Sequence, residues 1–331
     1  MKLKRFQKLI LLGGLALLTL LVVAFTFWSN KAQSQLPEKI AIAYQPSITY
    51  APLMIVKYQE TLEKQFPNIS FRWRELANIS TIQKQVLANQ LQVVAGNTET
   101  FFIGRDNNID WKILATLNHT DLWLVVNNSK IKSLKDIKPG MKIGVPSGDS
   151  IQAILLRLAA KKQLGNYAAL DKNIREIPHT LGLQALKNKE IVGHYTIPPF
   201  QFKEVAAGGR VILKSADIFG EISTANLFMK ENFYRQYPKF AKALYAAVNK
   251  ATKLLNEQPD KAAKVLENEG RSKISRKQFK QWITNESLQY SVVPKGVLRQ
   301  AGLMFEVGVL DKDPKSIEEL ILPTLQGVGG D

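Results

Sequence analysis

The sequence predicts an α/β protein whose chain forms two lobes with mainly parallel sheets. Its 331 residues correspond to two domains at about 100–200 residues each. From residue 39 onward, short apolar segments that fit strands alternate with longer segments that have helical spacing. This order is typical of parallel sheets covered by helices. With 45% hydrophobic and 22% charged residues, the chain has the composition of a globular protein with a sizeable core.

The alternation begins directly after Pro37. Residues 39–44 alternate apolar and polar side chains and predict a strand. Residues 51–65 repeat apolar side chains at three- and four-residue steps and predict one helix. Further strands are predicted at 69–74, 92–95, 112–116 and 122–126, and further helices at 80–89 and 98–105.

The same pattern continues from residue 141 to residue 213. It comprises a strand at 141–145, a helix at 150–164 and the alternating segments 174–177, 182–186, 191–194, 199–206 and 211–213. Helical spacing dominates the C-terminal third, where prolines indicate the first residue of a helix. Helices are predicted at 238–255, 259–266, 277–287 and 295–307. We expect this tail to pack around a lobe rather than to carry chemistry.

The first 34 residues have the three-part plan of a secretory signal peptide. Residues 1–8 form a basic head, residues 9–28 are uncharged and mostly apolar, and Ala32 and Ser34 supply small side chains before a cleavage point. The apolar run also reaches the ~20 residues that span a bilayer. A cleaved signal at 1–34 and an inner-membrane anchor at 9–28 both stay open, and we favour cleavage. Either one places the body of the chain in the periplasm, because the positive head stays inside.

The composition excludes several kinds of chemistry. Because the chain has no cysteine, it cannot form disulfides, thiolate metal sites or a cysteine nucleophile. His119, His179 and His194 are its only histidines and lack metal-ligand spacing, so we expect no metal site. The net charge of +17 is spread along the chain without a nucleic-acid-binding motif. We therefore predict a solvated basic surface and no nucleic-acid partner.

Polar and aromatic side chains follow four of the predicted strands, at 44–52, 96–99, 146–150 and 194–200. Ligands of open α/β sheets bind beyond the carboxyl ends of the strands, and free N–H groups at helix starts can hold anionic or carbonyl groups. The candidate ligand-binding residues are Tyr44, Gln45, Tyr50, Asn97, Thr98, Glu99, Ser147, Asp149, Ser150, His194, Tyr195 and Phe200. Taken singly, these residues also fit helix N-caps or core positions, and both interpretations stay open.

Several segments, taken in order, carry a family resemblance. They are the opening strand with Ala51 and Pro52, and the segments 87–99, 122–150, 185–200 and 231–251. Together they resemble the nitrate/sulfonate/taurine-type substrate-binding proteins of ABC importers, a group that includes binders of thiamine pyrimidine precursors. The resemblance covers residues 38–268, and the segment 125–150 is its most specific part.

The resemblance implies a two-lobed periplasmic-binding-protein fold, type II-like, with a ligand cleft at the hinge. The chain would cross between lobes near 122–126 and again near 224–228. Lobe one would comprise 35–124 plus 225–331, and lobe two 125–224. Ligand binding would close the lobes, and the closed form would dock on a membrane permease driven by a cytoplasmic ATPase. The resemblance implies no cofactor and no catalysis, and we expect a monomer.

The sequence departs from the family pattern where the ligand is concerned. Acidic positions common in the family are lost in the segments 89–95 and 188–194. The four candidate segments contain no Lys or Arg, which an oxyanion of double charge would need, but they do contain aromatic and amide groups. We therefore predict a neutral, zwitterionic or monoanionic ligand, with a pyrimidine-like ring as one option. An arginine from the tail, such as Arg271 or Arg299, would change this prediction.

Two rival functions remain open on the sequence. An enzyme would need a nucleophile or a paired-carboxylate motif, and the chain has no G-x-S-x-G elbow. Asp149 and His194 could pair as base and orienter, but they lack a nucleophile, so we expect no enzyme activity. The second rival is a membrane-anchored ligand-sensing domain, which an uncleaved segment 9–28 would favour.

The intact mass of the exported protein tests the N-terminal prediction. Cleavage after Ser34 would remove 34 residues from the 37.2 kDa chain. We expect the shorter mass, whereas a mass near 37.2 kDa would establish an anchor.

Overall fold

The computed structural model describes residues 36–45, 47–76, 79–268 and 274–325. The predicted signal or anchor lies outside these ranges, as does Arg271. Within them, no helix is both long enough and apolar enough to span a membrane.

The strands form two sheets, and consecutive positions in each sheet are hydrogen-bonded neighbours. The large sheet has the order β11 (Leu288–Tyr290), β4 (Trp111–Thr120), β10 (Ser223–Lys230), β3 (Val93–Asn97), β1 (Lys39–Tyr44) and β2 (Ser70–Glu75). The small sheet has the order β7 (Ile174–Glu176), β6 (Ile143–Val145), β8 (Gly193–Thr196), β5 (Trp123–Val126) and β9 (Arg210–Lys214). The α/β class predicted from the sequence is confirmed.

The expectation of mainly parallel sheets is wrong. Parallel pairing is confined to β2, β1 and β3 in the large sheet and to β7, β6 and β8 in the small sheet. Strands β10 and β11 run antiparallel to their neighbours, and so does β5. The reason is that the chain leaves the large sheet along β4 and β5 and returns along β9 and β10. The outgoing and returning strands lie side by side in opposite directions.

Helices cover the sheets. They are α1 (Ala51–Tyr58), α2 (Thr61–Gln65), α3 (Ile79–Leu87), α4 (Thr98–Asp106), α5 (Ile151–Leu164), α6 (His179–Lys187), α7 (Phe200–Ala206), α8 (Ala216–Phe219), α9 (Glu231–Gln236), α10 (Pro238–Glu257), α11 (Pro259–Glu267), α12 (Arg276–Ile283) and α13 (Val297–Glu306). Helices α1, α10, α11 and α12 share one apolar core with the large sheet, and α3, α4 and α13 share the core on its other face. Helix α5 packs in the core of the small sheet. The tail therefore packs around the large sheet, as the sequence predicts.

Three predicted elements differ in detail. The single helix expected at 51–65 is broken into α1 and α2, because Glu60 has a φ of 51°, which no α-helix accommodates. The helix expected at 277–287 ends at Ile283, and the next residues form β11 instead. The segment 224–228, expected near the return crossing, lies inside β10. The chain passes between the sheets after Thr120 and again between Lys214 and Ser223, while the bounds of the two lobes stay a prediction.

The two passages between the sheets are tied together at Asp121. One carboxylate oxygen of Asp121 accepts hydrogen bonds from the Ser215 hydroxyl (3.1 Å) and the Ala216 backbone N–H (2.9 Å). The other accepts from the Trp123 indole N–H (2.9 Å). The Leu122 N–H donates to the Ser215 hydroxyl oxygen, and the Ser215 N–H donates to the Leu122 carbonyl, both at 2.8 Å. The outgoing and returning chains are thus held to each other at the junction between the two sheets.

The position of α4 depends on a contact between Gly104 and Trp111. The Trp111 side chain is fully buried, and its indole N–H donates to the Phe101 carbonyl at 2.8 Å. A Cβ atom on Gly104 would lie 1.8 Å from Trp111 Cζ2. Because α4 begins directly after β3, this contact also sets the positions of Asn97 and Glu99.

Replacing Gly104 with alanine is expected to lower the free energy of unfolding by about 3 kcal/mol, because the buried indole has no room to move away. Gly302 provides the matched control, since it also lies in a helix but its added Cβ would meet nothing nearer than 3.9 Å. Gly302→Ala should stabilise the chain by up to about 1 kcal/mol. Urea unfolding of both variants measures this, and equal changes would contradict the packing account.

Candidate functional site

The ends of β1 and β8 face each other across a cleft between the two sheets. The Ser47 hydroxyl, just after β1, donates to the Pro198 carbonyl, just after β8, at 3.0 Å. Between the sheets lies a cavity of about 20 Å³, which we call the inner cavity. It is lined by Thr49, Asn97, Leu122, Ile151, Gln152, Ile197, Thr224 and Ala225, which come from both sides of the cleft. This volume is about that of one water molecule.

Four predicted residues form one hydrogen-bonded network on the large-sheet side of the cleft. The Tyr50 hydroxyl lies 2.6 Å from Gln45 Oε1 and 2.5 Å from Asn97 Oδ1. The Asn97 amide donates to Glu99 Oε1 at 3.0 Å. Burial, reinforced by the nearby Glu99 carboxylate, raises the pKa of Tyr50 well above its ordinary value. Tyr50 therefore stays a neutral hydrogen-bond donor.

Glu99 is a buried acid at the start of α4. Burial raises its pKa to about 7. Hydrogen bonds from its own backbone N–H, the Asn97 amide and the Ile151 N–H lower the pKa, whereas the Asp149 carboxylate raises it. Because Ile151 opens α5 on the opposite side of the cleft, Glu99 interacts with both sides. Near neutral pH it is partly protonated, so it can either donate or accept a hydrogen bond.

Three predicted residues form the turn on the small-sheet side. The Ser147 hydroxyl donates to Asp149 Oδ1 at 2.5 Å. The Ser150 hydroxyl donates to the Ser147 carbonyl (2.7 Å) and accepts from the Ala153 N–H (3.3 Å), so Ser150 is the N-cap of α5. Arg157, which no sequence pattern marked, donates to the Gly148 carbonyl at 2.7 Å and holds this turn in place. Capping therefore explains Ser150.

Gln152 also escaped the sequence analysis, although it lines the inner cavity. Its side chain is buried, and its Oε1 atom has no hydrogen-bond partner among the described residues. A buried amide oxygen without a partner is costly, which makes it available to a donor group of a ligand or water. Gln152 lies inside helix α5, whereas the candidates predicted from the sequence all come from segments that follow strands.

Only Tyr44, Asn97 and Phe200 among the twelve predicted residues line either cavity, and three of the other nine are fixed inside the fold. The Thr98 hydroxyl is buried, donates to the Ser223 carbonyl (2.6 Å) and accepts from the Asn226 amide (2.9 Å). The Tyr195 side chain is fully buried in the core of the small sheet. His194 is fully buried as well and packs under α6.

The partner of His194 is Glu204, not Asp149. His194 Nδ1 lies 2.6 Å from Glu204 Oε1. Burial lowers the pKa of His194 to about 3 and raises that of Glu204 to about 8, so near neutral pH the pair is a neutral imidazole with a protonated carboxyl group. A Cβ on Gly182 would lie 2.0 Å from the His194 ring. This pair is packed inside the small-sheet side, so the Asp149–His194 pair of the enzyme alternative does not form.

A second, larger cavity of about 420 Å³ lies beside the inner one and is called the outer cavity here. Two predicted residues, Tyr44 and Phe200, line it. Its lining also includes Ser47, Lys57, Tyr58, Glu75, Lys203 and Trp282. The sequence analysis missed both lysines because they lie inside helices and not in the segments after the strands. Arg299, suggested as a source of positive charge, instead donates to the Glu221 carbonyl at 3.3 Å.

No metal site is apparent in the described ranges, since no three His, Asp or Glu side chains there are grouped so that they could hold an ion.

Glu99 is expected to make the protein less stable as the pH rises through neutrality. Its pKa is about 7 in the folded chain against an ordinary value of 4.5. The stabilisation is therefore complete below pH 4.5 and is lost as the pH rises through about 7. The shift corresponds to about 3 kcal/mol.

Comparing Glu99→Gln with wild type by urea unfolding across pH 5 to 8 isolates this contribution. The variant should gain stability relative to wild type as the pH rises, because its amide does not ionise. Glu257→Gln, at the exposed end of α10, should leave the pH dependence unchanged. A pH dependence of Glu99→Gln equal to that of wild type would contradict the assignment.

Solved structures provide the fold comparison. The chain is similar to the periplasmic aliphatic sulphonate binding protein SsuA from Escherichia coli, at 18% identity and TM-score 0.70, covering 88% of this chain and 99% of that chain. It is also similar to the ligand binding component of an ABC-type import system from Staphylococcus aureus, at 16% identity and TM-score 0.70, covering 87% and 98%. The periplasmic nitrate-binding protein NrtA from Synechocystis matches at 14% identity and TM-score 0.67, covering 83% and 82%. These likenesses establish the periplasmic binding protein fold.

Sequence comparison with curated proteins finds no significant match. The profile of the NMT1-like family matches residues 33–268, which is more than half of the chain. With its two sheets and the cleft between them, the chain therefore belongs to the NMT1-like family.

Proposed function

We propose that this protein is the extracytoplasmic solute-binding component of an ABC importer, which captures a small ligand by lobe closure and delivers it to a membrane permease. The observation that carries the proposal is the convergence of polar strand ends from both sheets on one cleft. The Ser47–Pro198 hydrogen bond and the position of Glu99 beside Ile151 both span that cleft. The fold and the family support the assignment to an ABC importer.

Closure requires that the two sides can separate. The inner cavity holds about 20 Å³, so a ligand larger than one water can enter only when the sheets move apart. The two segments that connect the sheets, 121–122 and 215–222, are short and are held together at Asp121 and Ser215. Movement about this junction would open the cleft without unfolding either core, which is a hinge motion.

The chemistry of the inner cavity supports a ligand with hydrogen-bonding edges. Asn97 and Gln152 line the cavity, and Gln152 Oε1 can accept a hydrogen bond. The Glu99 carboxyl group lies next to them through its hydrogen bond with Asn97 and can donate or accept near neutral pH. A neutral, zwitterionic or monoanionic ligand is compatible with these groups, and a pyrimidine-like ring could donate from an exocyclic amine to Gln152 Oε1. Nitrate or an alkyl sulfonate in the inner cavity would bring its charge close to the Glu99 carboxylate. We therefore rank these anions, which lack a ring, below ring ligands.

The N-terminal segment supports export to the periplasm. Its apolar run at 9–28 also supports the alternative of a membrane-anchored ligand sensor, in which the same cleft signals to a partner in the membrane. We propose no enzyme activity, because the buried His194–Glu204 pair lines neither cavity.

Thermal unfolding of the full chain in mild detergent tests the solute-binding proposal. The ligand panel contains nitrate, alkyl sulfonates, taurine, aromatic acids and aminopyrimidines, with a salt control. A ligand at a hundred times its dissociation constant adds about 2.7 kcal/mol of stability, which raises the midpoint by several degrees. A selective rise with one chemical class is expected. Turnover of any panel compound that is lost in a His194→Ala variant would overturn the binding proposal.

The Asn97→Ala variant tests where that ligand binds. Asn97 joins Tyr50 to Glu99 and lines the inner cavity, so its loss should weaken ligand binding about tenfold. The unliganded protein should lose only about 1 kcal/mol of stability. Asn232→Ala, at an exposed site on α9, should change neither quantity. Unchanged affinity in Asn97→Ala would place the ligand elsewhere.

A further inference from the structure

The outer cavity has walls from both sides of the cleft. Tyr44, Lys57 and Tyr58 come from β1 and α1 on the large-sheet side, and Phe200 and Lys203 come from α7 on the small-sheet side. The tail helix α12 contributes Trp282. The volume of about 420 Å³ lies within the range of ~300–1,000 Å³ that small-molecule sites occupy.

Two lysines face this cavity without acidic partners. Neither Lys57 nor Lys203 forms an ion pair within the described part of the chain. Lys57 donates one hydrogen bond, to the Tyr44 hydroxyl at 2.9 Å, and an ammonium group has three protons to donate. The exposed Glu75 is the acid on the wall. With two ammonium groups and one carboxylate, the cavity has one net positive charge, which suits a ligand that carries a single negative charge.

Aromatic rings flank each ammonium group. Lys57 Nζ lies 5.3 Å from the ring centre of Tyr44 and 5.4 Å from that of Tyr58. Lys203 Nζ lies 5.6 Å from the ring centre of Phe200 and 5.1 Å from that of Trp282. Such rings offer flat apolar surface to a planar ligand and stabilise the ammonium groups while no anion is bound.

We propose that the outer cavity binds an aromatic monoanion, a ring bearing one carboxylate or sulfonate group. The ring lies among Tyr44, Tyr58, Phe200 and Trp282, and the anionic group lies between Lys57 and Lys203. Because the two lysines belong to opposite sides of the cleft, one anion that contacts both holds the cleft closed. This inference names the ligand class of the cleft and rests on the proposed solute-binding function for its biological meaning.

Calorimetric titration of the full chain tests the proposal with benzenesulfonate and benzoate as probes. Methanesulfonate provides the anion without the ring, and benzyl alcohol provides the ring without the charge. We expect both aromatic anions to bind at least tenfold more tightly than either control, since charge-assisted hydrogen bonds and ring contacts then act together.

Substitution of each lysine locates the anion. Lys203→Met and Lys57→Met keep the apolar stem of the side chain and remove its charge, and each should weaken benzenesulfonate binding about tenfold or more. Lys203 is exposed, so its replacement tests the site even where Lys57→Met folds poorly. Lys242→Met, on the exposed face of α10, is the matched control and should bind like wild type.

The outcomes separate this inference from the proposed function. If neither aromatic anion binds, or if Lys203→Met binds as wild type does, the outer cavity is not the anion site. The solute-binding function still stands in that case if another compound of the thermal panel stabilises the chain. Equal binding of methanesulfonate and benzenesulfonate would overturn the aromatic part of the inference. Failure of every compound to bind would remove both the inference and the proposed function.

Discussion

The fold depends on the junction at Asp121, where the chain passes from one sheet to the other. Its carboxylate accepts hydrogen bonds from Ser215 and Ala216 on the returning chain and from Trp123 on the outgoing one. Outgoing and returning strands must therefore run side by side, which makes both sheets mixed. The same junction leaves each sheet with its own core, joined by two short crossings. Such a connection permits the sheets to move relative to each other while both cores stay intact.

The cleft that this junction creates has two chemically different ends. Asn97 lines the inner cavity and connects it to the buried acid Glu99, whereas Lys57 and Lys203 line the outer cavity. A ligand with a hydrogen-bond donor at one end and a negative charge at the other would match this polarity along the cleft. The two proposals thus describe one binding surface, in which the inner end orients the ligand and the outer end anchors its charge.

The sequence predicts the strands and helices that depend on local residue patterns. It does not predict features that depend on contacts between residues far apart in the chain. Strand β1 and the proline-initiated helices α10 and α11 follow from periodicity and caps. The short strand β11 escaped notice because its pairing with β4 joins residues far apart in sequence. The strand-end rule brought Gln45, Tyr50, Asn97 and Glu99 together correctly. The same rule selected His194 and Tyr195, but β8 is buried along its whole length and buries both side chains. The rule could not select Lys57 and Lys203, because they lie inside helices.

Closure of the two sheets on a ligand can be measured as a change in the distance between them. Because the chain has no cysteine, cysteines introduced at the exposed positions Glu60 and Lys187 would carry the only spin labels. We predict a broad distance distribution without ligand and a shorter, narrower one with a saturating amount of the solute that stabilises the chain. An unchanged distribution at saturation would contradict closure, and with it the account of the cleft as a capture site.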